Sequence, residues 1–399
     1  MKRISSSAAS SLPLESIEVF VLDTLPTRRR AIPTGPTNYG GGGSWAGRPV
    51  LMCIRAGGIS GWGEIRPVNP FLAETAASMF FALRDFYAPI IVGRDAFNIE
   101  SILCACERHL PGNAGALALI DMSLHDLVGK ALGVPVHVLL GGVCKERIPM
   151  EWSVGVGDEK TMIEESVMAV EKYGIEYVCL KVGPANRIDL DVRMVKAIRK
   201  SVGPGVFLGI DANTTYDPAS AVQLLDRLAD VRLTYFEQPV AAHALRDMRW
   251  IRERGGVPIL ADESVYSRSD AMQIVHAGAA DVLGLKSFKC GGMRRSREIA
   301  SIAEGGALRV NCAGCANGSY IEAIAGAHLC SAIPNHAFGA EFVMGLPAVE
   351  EDLRIRNRPI DVVDGYCNIP GGPGLGFELN EAALKPHQLA HAVVNAGGR

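Results

Sequence analysis

The stretch 206-VFLGID-211 is an apolar run that ends in a carboxylate, and this pattern recurs along the second half of the chain. Runs with a charged residue at or near the end lie at 177-YVCLKV-182, 233-LTYFE-237, 257-VPILAD-262, 281-DVLGLK-286 and 337-AFGAE-341. Two further apolar runs, without a charged end, lie at 152-WSVGV-156 and 308-LRVNC-312. Helix-like segments separate most of them; 217-DPASAVQLLDRLAD-230, for example, opens with an Asp cap and a proline. Eight strands alternating with helices predict an α/β fold, a (β/α)8 barrel of the TIM type.

An open doubly wound sheet is the alternative architecture. Such a sheet usually carries a glycine-rich dinucleotide-binding turn after its first strand, and none is present at 156–165. The sequence therefore favours the barrel.

The rest of the chain is expected to build a second domain. We assign residues 1–13 to a flexible tail, 14–145 to an α+β capping domain, 146–355 to the barrel and 356–399 to a segment that returns to the capping domain. The stretch 114-AGALALIDMSLHDLVGKALG-133 repeats its apolar residues every three or four positions and predicts a helix ending at Gly133. Loop 26–49 contains four consecutive glycines and is interpreted as a mobile lid over a site, in preference to disorder.

Composition narrows the class of protein. The 40 basic and 43 acidic side chains give a net charge of −3, which argues against binding to nucleic acid or to a membrane surface. No apolar run approaches the roughly 20 residues that span a bilayer. The ten cysteines are scattered, as is typical of reduced thiols in a cytoplasmic protein. The lone Cys312-x-x-Cys315 pair is interpreted as small residues packing near a loop, in preference to redox or metal use.

Polar side chains at the ends of the predicted strands indicate the chemistry. The carboxyl ends of barrel strands converge on one face, where active sites lie. Three carboxylates on consecutive strands would repel each other and raise each other's pKa, and a hard dication such as Mg²⁺ cancels that repulsion. The alternative is a set of structural salt bridges. The residues at these ends are Lys181, Asp211, Glu237, Asp262, Lys286 and Glu341.

Lys181 and Lys286 are the candidate acid and base. They end the second and sixth predicted strands, so they should face each other across the barrel mouth with a metal-bound substrate between them. Near a cation and partly desolvated, a lysine's pKa falls toward the range of a general base. Ordinary surface lysines are the alternative.

The motifs together resemble the enolase superfamily, and within it the muconate-lactonizing subgroup of the mandelate racemase/muconate lactonizing enzyme family. The resemblance implies that Asp211, Glu237 and Asp262 ligate Mg²⁺, with Mn²⁺ as a substitute, and that Lys181 and Lys286 are catalytic. It also implies a small-molecule carboxylate substrate and a homo-oligomer, a dimer or an octamer. The matching motifs are 61-GWGE-64, 121-DMSLHDLVGKALGVPVHVLLGG-142, 181-KVG-183, 211-DAN-213, 236-FEQP-239, 261-ADES-264 and 286-KSFKCGG-292.

Two positions depart from the family pattern. The subgroup usually has Lys-x-Lys at the end of strand two, whereas this chain has Cys179-Leu180-Lys181. Strand seven, 308-LRVNC-312, lacks a histidine, which argues against relatives that use a His-Asp dyad.

The first functional hypothesis is a racemase, epimerase or dehydratase acting on an amino acid or a proline-like derivative. Glu341 would bind the substrate ammonium, and Cys179, Asn213, Tyr39 and Trp45 are the other candidate substrate-binding residues. A muconate-type cycloisomerase is the second hypothesis, with the arginines at 28–30 of the lid meeting a second carboxylate. The alternative for these arginines, which we prefer, is a solvated charged surface. A catalytically silent binding or structural relative is the third.

Overall fold

The computed structural model describes residues 11–24, 31–36, 45–68, 71–183, 187–312, 320–341, 357 and 359–397. Tyr39, the arginines at 28–30 and Cys315 lie outside the described residues, together with most of the predicted lid. Residues 11–13, which the sequence assigned to the tail, are described. Leu12 is buried, and Pro13 bridges Asp95.

The N-terminal region combines an antiparallel sheet with helices. Its strands are β1 (Ser16–Leu22), the short pair β2 (Ala31–Ile32) and β3 (Gly35–Pro36), β4 (Val50–Ala56) and β5 (Ile59–Ile65). Its helices are α1 (Ala76–Phe81), continued by a π-helical turn at Ala82–Tyr87, then α2 (Ala88–Ile91), α3 (Ile99–His109), α4 (Ala114–Leu132) and α5 (Val136–Leu139). The strand β5 was not predicted from the sequence, because its two glycines obscure the apolar alternation.

A seven-stranded parallel sheet forms the second region. It follows the short strand β6 (Arg147–Pro149), and neighbouring strands are consecutive in the chain. Its strands are β7 (Glu151–Val154), β8 (Tyr177–Lys181), β9 (Phe207–Asp211), β10 (Phe236–Glu237), β11 (Ile259–Ala261), β12 (Val282–Leu285) and β13 (Arg309–Cys312).

The eighth predicted strand, 337–341, appears only as isolated bridges. His336 bridges Val310 of β13, and Ala340 bridges Met150 just before β7, both in parallel. This segment therefore reaches both edges of a curled α/β sheet. The fold is barrel-like, but the eight-stranded ladder predicted from the sequence is seen only in part.

Helices follow the parallel strands and cover the sheet. They are α6 (Glu159–Tyr173), α7 (Ile188–Val202), α8 (Pro218–Arg227), α9 (Leu245–Gly255), α10 (Arg268–Ala277), the single turn α11 (Ser287–Cys290), α12 (Met293–Gly305) and α13 (Tyr320–Ser331). The predicted start of α8 is confirmed. The Asp217 side chain caps the helix by accepting a hydrogen bond from the Ser220 N–H, and Pro218 is the first helical residue. The predicted end of α4 is confirmed as well, at Gly133 with φ of 70°.

The chain end returns to the N-terminal sheet. After β14 (Val362–Val363) and β15 (Tyr366–Asn368), strand β16 (Gln388–Asn395) pairs antiparallel with β1 from Leu22 to Ser16. The resulting sheet has the order β16-β1-β4-β5.

Helix α4 holds the two regions together. Added Cβ atoms on Gly61 and Gly63 of β5 would lie within 3.0 Å of α4 atoms, so the glycines permit this close packing. At the other side of α4, the Asp121 carboxylate accepts from the Met293 N–H (2.7 Å) at the start of α12. Gly292, with φ of 114°, is needed there because a Cβ would come within 2.6 Å of Asp121.

Two further sequence expectations concern membranes and thiols. None of the helices among the described residues is long and apolar enough to cross a bilayer. The nine cysteines in the described part of the chain are free thiols, as expected.

Candidate active site

The six predicted strand-end residues come together at one end of the parallel sheet. Direct register joins Lys181 to Asp211 and Asp211 to Glu237 across β8, β9 and β10. All six side chains are buried: Lys181, Asp211, Glu237, Asp262, Lys286 and Glu341. Hydrogen bonding between neighbouring short strands fixes their spacing, so the sequence pattern translates directly into proximity.

Asp211, Glu237 and Asp262 form a trio of carboxylates at consecutive strand ends. Each candidate lysine is paired with one of the two outer members, Asp211 or Asp262. The Lys181 ammonium binds Asp211 Oδ2, and the Lys286 ammonium binds Asp262 Oδ2. A third lysine, Lys289, is fully buried and donates to both Oδ1 and the backbone carbonyl of Asp262. Sequence reasoning did not single out Lys289, although it lies inside the quoted motif 286-KSFKCGG-292.

The three carboxylates differ in their electrostatic surroundings. Burial, with added repulsion from Asp211 and Asp262, raises the pKa of Glu237 well above its usual range. Burial also raises the pKa of Asp211, against the opposing charge of Lys181. For Asp262, Lys286 and Lys289 together outweigh the effect of burial and lower the pKa.

The pKa values of Lys181 and Lys286 are both raised in this arrangement. Burial alone would lower the pKa of Lys181, but the charges of Asp211 and Glu237 outweigh it and raise the pKa well above the usual value. Asp262 and Glu237 do the same to Lys286. The expectation of a lowered lysine pKa supposes a bound cation that offsets the carboxylate charge, so it stays a prediction for the metal-bound site.

A divalent cation fits the donor set at this site. Three buried carboxylates on adjacent strands offer the oxygen ligands that hard cations prefer. Burial and then the charges of Asp211 and Asp262 raise the pKa of Glu237, and a cation would offset that negative charge. Two further acceptors nearby, Asn213 Oδ1 and Glu263 Oε2, are buried without a hydrogen-bond partner among the described residues.

Asn213 and Glu263 form an outer layer beside the carboxylates. The Asn213 backbone N–H donates to Asp211 Oδ1 (2.8 Å), and its side-chain amide donates to Glu263 Oε1 (3.0 Å). Burial and the charges of Asp262 and Asp211 raise the pKa of Glu263 to about 7. Asn213, predicted to bind substrate, thus orients two acidic groups in this structure. Glu263 was not identified from the sequence, although it follows the ligand candidate Asp262 directly.

Cys179 lies below Lys181, inside the curled sheet. It is buried with Tyr235, Leu260 and Ala337 in a small cluster separate from the main core. Glu151 of β7 lies within electrostatic reach of the same cluster, and burial together with Glu341 raises its pKa to about 8. The position at which the subgroup has a lysine is therefore a neutral thiol in a tightly packed layer, next to a carboxyl group held protonated at neutral pH.

The remaining candidates divide into near and distant positions. Glu341 is buried at the strand-end face, where its charge acts on both Lys181 and Lys286. Trp45 instead packs on Phe80 of α1 (ring centroids 5.5 Å apart), within the N-terminal region. The described contacts of Trp45 thus anchor the loop.

Phe71 is a site residue that the sequence analysis missed. Its ring centroid lies 3.9 Å from Lys286 Nζ, so the N-terminal region contributes one wall of the site. A lone phenylalanine in a loop carries no sequence signal for this contact, which depends on how the two regions pack.

Comparison with known proteins agrees with this architecture. Residues 18–141 match the mandelate racemase / muconate lactonizing enzyme N-terminal domain, and residues 161–383 match the enolase C-terminal domain-like family. Muconate cycloisomerase 1 of Rhodococcus opacus is 32% identical over 383 residues, with 94% of this chain and 98% of the relative covered.

Solved structures give the same picture. The muconate lactonizing enzyme of Pseudomonas fluorescens, complexed with muconolactone, superposes with a TM-score of 0.85 at 27% identity, covering 95% of this chain and all of that one. A mandelate racemase/muconate lactonizing family protein of Azoarcus sp. EbN1 gives 0.83 at 32% identity, covering 96% of this chain and all of that one.

The chain belongs to the enolase superfamily, which its two family matches and its strand-end site define together. Its relatives put it in the muconate lactonizing subgroup, and it is an enzyme. Enzymes of this family act on small carboxylates and generally depend on a divalent metal ion.

Proposed function

We propose that this enzyme removes a proton alpha to a carboxylate and stabilises the resulting enolate, with Lys181 and Lys286 as the proton-transferring groups. The observation that carries the proposal is the pairing of each lysine with a different outer member of the carboxylate trio. A substrate above the trio would have one ammonium group on each side. That is the arrangement needed to remove a proton from one face and return it to the other.

Asp211, Glu237 and Asp262 would hold Mg²⁺, or Mn²⁺ in its place. The ion, when bound, supplies positive charge that stabilises the developing enolate dianion. Lys289 restrains Asp262 from behind, and Asn213 restrains Asp211, so the two outer carboxylates keep fixed orientations. Phe71 covers Lys286 and limits the access of water to its ammonium group.

A buried carboxylate outside the proposed metal ligands, that of Glu341, favours a substrate with a cationic group. Among the described residues, six carboxyl groups and three lysines interact around the strand ends. The carboxyl groups are Glu151, Asp211, Glu237, Asp262, Glu263 and Glu341, and the lysines are Lys181, Lys286 and Lys289. In this proposal Glu341 would pair with the substrate ammonium. We therefore propose a racemase, epimerase or dehydratase acting on an amino acid or a proline-like derivative.

A muconate-type cycloisomerase is the second candidate. It is favoured by the names of the relatives, among them a chloromuconate cycloisomerase of Cupriavidus pinatubonensis that is 33% identical over 335 residues. A dicarboxylate substrate would need a second cationic partner besides the bound ion. The lysines at the described strand ends are already paired with Asp211 or Asp262, which weighs against this candidate.

Alpha-hydrogen exchange in D₂O tests the proposal. The protein is incubated with Mg²⁺ and a panel of amino acids, hydroxyprolines, betaines and muconates, and exchange and products are followed by NMR. We expect exchange with a substrate bearing a cationic nitrogen, whereas lactone formation from a muconate would favour the second candidate.

Variants then test the residue roles. Lys181→Ala and Lys286→Ala should each abolish net turnover, because one of the two proton transfers is lost, while Lys196→Ala on the exposed face of α7 should not affect it. Asp211→Asn should remove activity by weakening metal binding. Retention of full activity in Asp211→Asn, or in both lysine variants, would contradict the assignment.

A further inference from the structure

A second cluster of ligand-type side chains lies away from the strand-end carboxylates. Cys312 is the last residue of β13, Cys330 lies near the end of α13, and His336 forms the parallel bridge to Val310 of β13. The three residues therefore join a strand, the helix that follows it and the start of the eighth strand segment. The motif partner Cys315 is outside the described residues and is not part of this set.

The three side chains converge in the protein interior. Their ligand atoms, two sulfurs and an imidazole nitrogen, all lie within 4.8 Å of one another. The exposed fractions are 3% for Cys312, 0% for Cys330 and 1% for His336. Exposed ligand-type side chains often lie close together without binding an ion, but these three side chains are buried.

His336 gives an independent indication of a ligand. Both of its ring nitrogens are buried, and neither makes a hydrogen bond with satisfactory geometry to the described residues. The Cys312 thiol interacts with both the His336 ring and the Cys330 thiol, but its contact with the ring lacks the geometry of a well-formed hydrogen bond. Buried polar atoms are nearly always paired, so an imidazole that faces two thiols and makes no well-formed hydrogen bond to the described residues points to a missing electron-pair acceptor.

The donor chemistry selects the kind of ion. Thiolates and imidazole are ligands of Zn²⁺ and other thiophilic ions, whereas Mg²⁺ takes oxygen ligands. The strand-end trio offers only carboxylates. The two clusters in this chain would therefore take different metals.

We propose that Cys312, Cys330 and His336 form a binding site for a thiophilic metal ion, Zn²⁺ in particular. On binding, the two thiols lose their protons to solvent and the neutral imidazole donates its lone pair, so Zn²⁺ replaces two protons. Two thiolates and one dication are neutral together, which suits an apolar interior. A water molecule or small anion completes the tetrahedron.

The site would fasten the least regular part of the curled sheet. The eighth strand segment forms no regular ladder with β13: it has one isolated bridge at His336 and a few further hydrogen bonds, such as that from the Glu341 N–H to the Cys312 carbonyl. The ion would tie His336 to both β13 and α13. Zn²⁺ should therefore raise the thermal stability of the full chain, and a strong chelator should lower it, with Mg²⁺ present throughout to supply the strand-end site.

Cobalt substitution tests the ligand set. The full-length protein is stripped of metal under reducing conditions and titrated with Co²⁺ in excess Mg²⁺. We expect a thiolate-to-cobalt charge-transfer band that saturates at one ion per chain and is displaced by Zn²⁺. Oxygen ligation at the carboxylate trio would not produce this band, so the two sites are distinguished.

Matched variants locate the band. Cys312→Ser and His336→Gln should each weaken Co²⁺ and Zn²⁺ affinity at least tenfold, whereas Cys144→Ser, at an exposed thiol outside the cluster, should leave it unchanged. If the buried variants fail to fold, X-ray absorption at the zinc edge of the wild-type protein gives the ligands directly, and sulfur and nitrogen neighbours are expected. Absence of the charge-transfer band, an oxygen-only zinc environment, or unaltered affinity in folded Cys312→Ser would overturn the proposal.

Discussion

Phe71 brings an aromatic ring from the N-terminal region onto Lys286, with 3.9 Å between the ring centroid and Nζ. Cation–π contacts contribute about 0.5–2 kcal/mol, depending on desolvation. We expect Phe71→Ala to lower kcat/KM by roughly 2- to 30-fold, because Lys286 loses a contact that positions it. Phe71→Tyr should retain most activity.

Steady-state kinetics on the substrate found by hydrogen exchange provides the measurement. Phe86→Ala is the control, because Phe86 lies in the same region but is largely exposed. An equal loss in both variants would show that the effect is not specific to the lysine contact.

His328 of α13 is a buried neutral histidine. Its Nδ1 accepts from the His137 backbone N–H (3.1 Å), its Nε2 lies 3.2 Å from the Leu375 carbonyl, and burial lowers its pKa to about 3. In the unfolded chain a histidine pKa is about 6.5. The stabilisation is therefore complete above about pH 6.5 and is lost as the pH falls toward the folded pKa.

We expect the free energy of unfolding to fall by about 2 kcal/mol from this residue alone between pH 6.5 and 5. His328→Gln should flatten that part of the profile while destabilising the protein at pH 7 through lost hydrogen bonds. Denaturant melts at several pH values measure both effects, with exposed His276→Gln as the control. Identical slopes for wild type and His328→Gln would refute the assignment.

At the scale of elements, helices α3 and α12 are joined by a guanidinium group. Arg295 is buried and contacts Glu107 (2.6 Å) and Glu100 (3.0 Å) of α3 and Glu298 (2.9 Å) of its own helix. The neighbouring Arg294 also pairs with Glu100 but is largely exposed. Removing a buried ion-pair partner costs about 3–5 kcal/mol, whereas exposed pairs contribute up to about 1 kcal/mol.

Arg295→Ala should therefore lower the free energy of unfolding by about 2–3 kcal/mol, between these limits because its glutamate partners are partly exposed, and Arg294→Ala by less than about 1 kcal/mol. Urea unfolding of the two variants provides a matched comparison. Similar losses in both would mean that the network around Arg295 does not hold the N-terminal region against the parallel sheet.

Element prediction succeeded where one local signal dominated. Helix α4 and the start of α8 were predicted because apolar spacing, an Asp cap and a terminal glycine all lie within the element itself. The function of Asp121 was not predicted, because its carboxylate contacts the start of α12, far along the chain. The motif 61-GWGE-64 was recognised from the sequence, but its structural role was not. The structure shows that its two glycines allow β5 to lie against α4.

At the scale of the molecule, the chain termini share one sheet. Strand β16 covers the edge of β1 along its whole length, and His391 stacks on Phe20 with 4.3 Å between ring centroids. Deleting residues 388–399 would leave β1 as an uncovered edge, which is a template for aggregation. We expect most of the truncated protein in the insoluble fraction after expression.

Deletion of residues 397–399 is the control and should leave yield and melting temperature unchanged, because this segment lies beyond the paired strand. Sedimentation and circular dichroism of the two truncations give the comparison. A soluble, fully folded product without β16 would show that the N-terminal sheet does not depend on the chain end.

The sequence by itself was enough to predict membership of the enolase superfamily and the convergence of six side chains, because strand ends in a parallel sheet must meet at one face. These side chains are Lys181, Asp211, Glu237, Asp262, Lys286 and Glu341. The sequence also located Cys179 as the departure from the family pattern. Only the tertiary structure decided the partners: Lys289 behind Asp262, Phe71 over Lys286, and His336 beside Cys312 and Cys330. These contacts join residues from separate elements, and their distances depend on how helices and strands pack, which no local sequence pattern records.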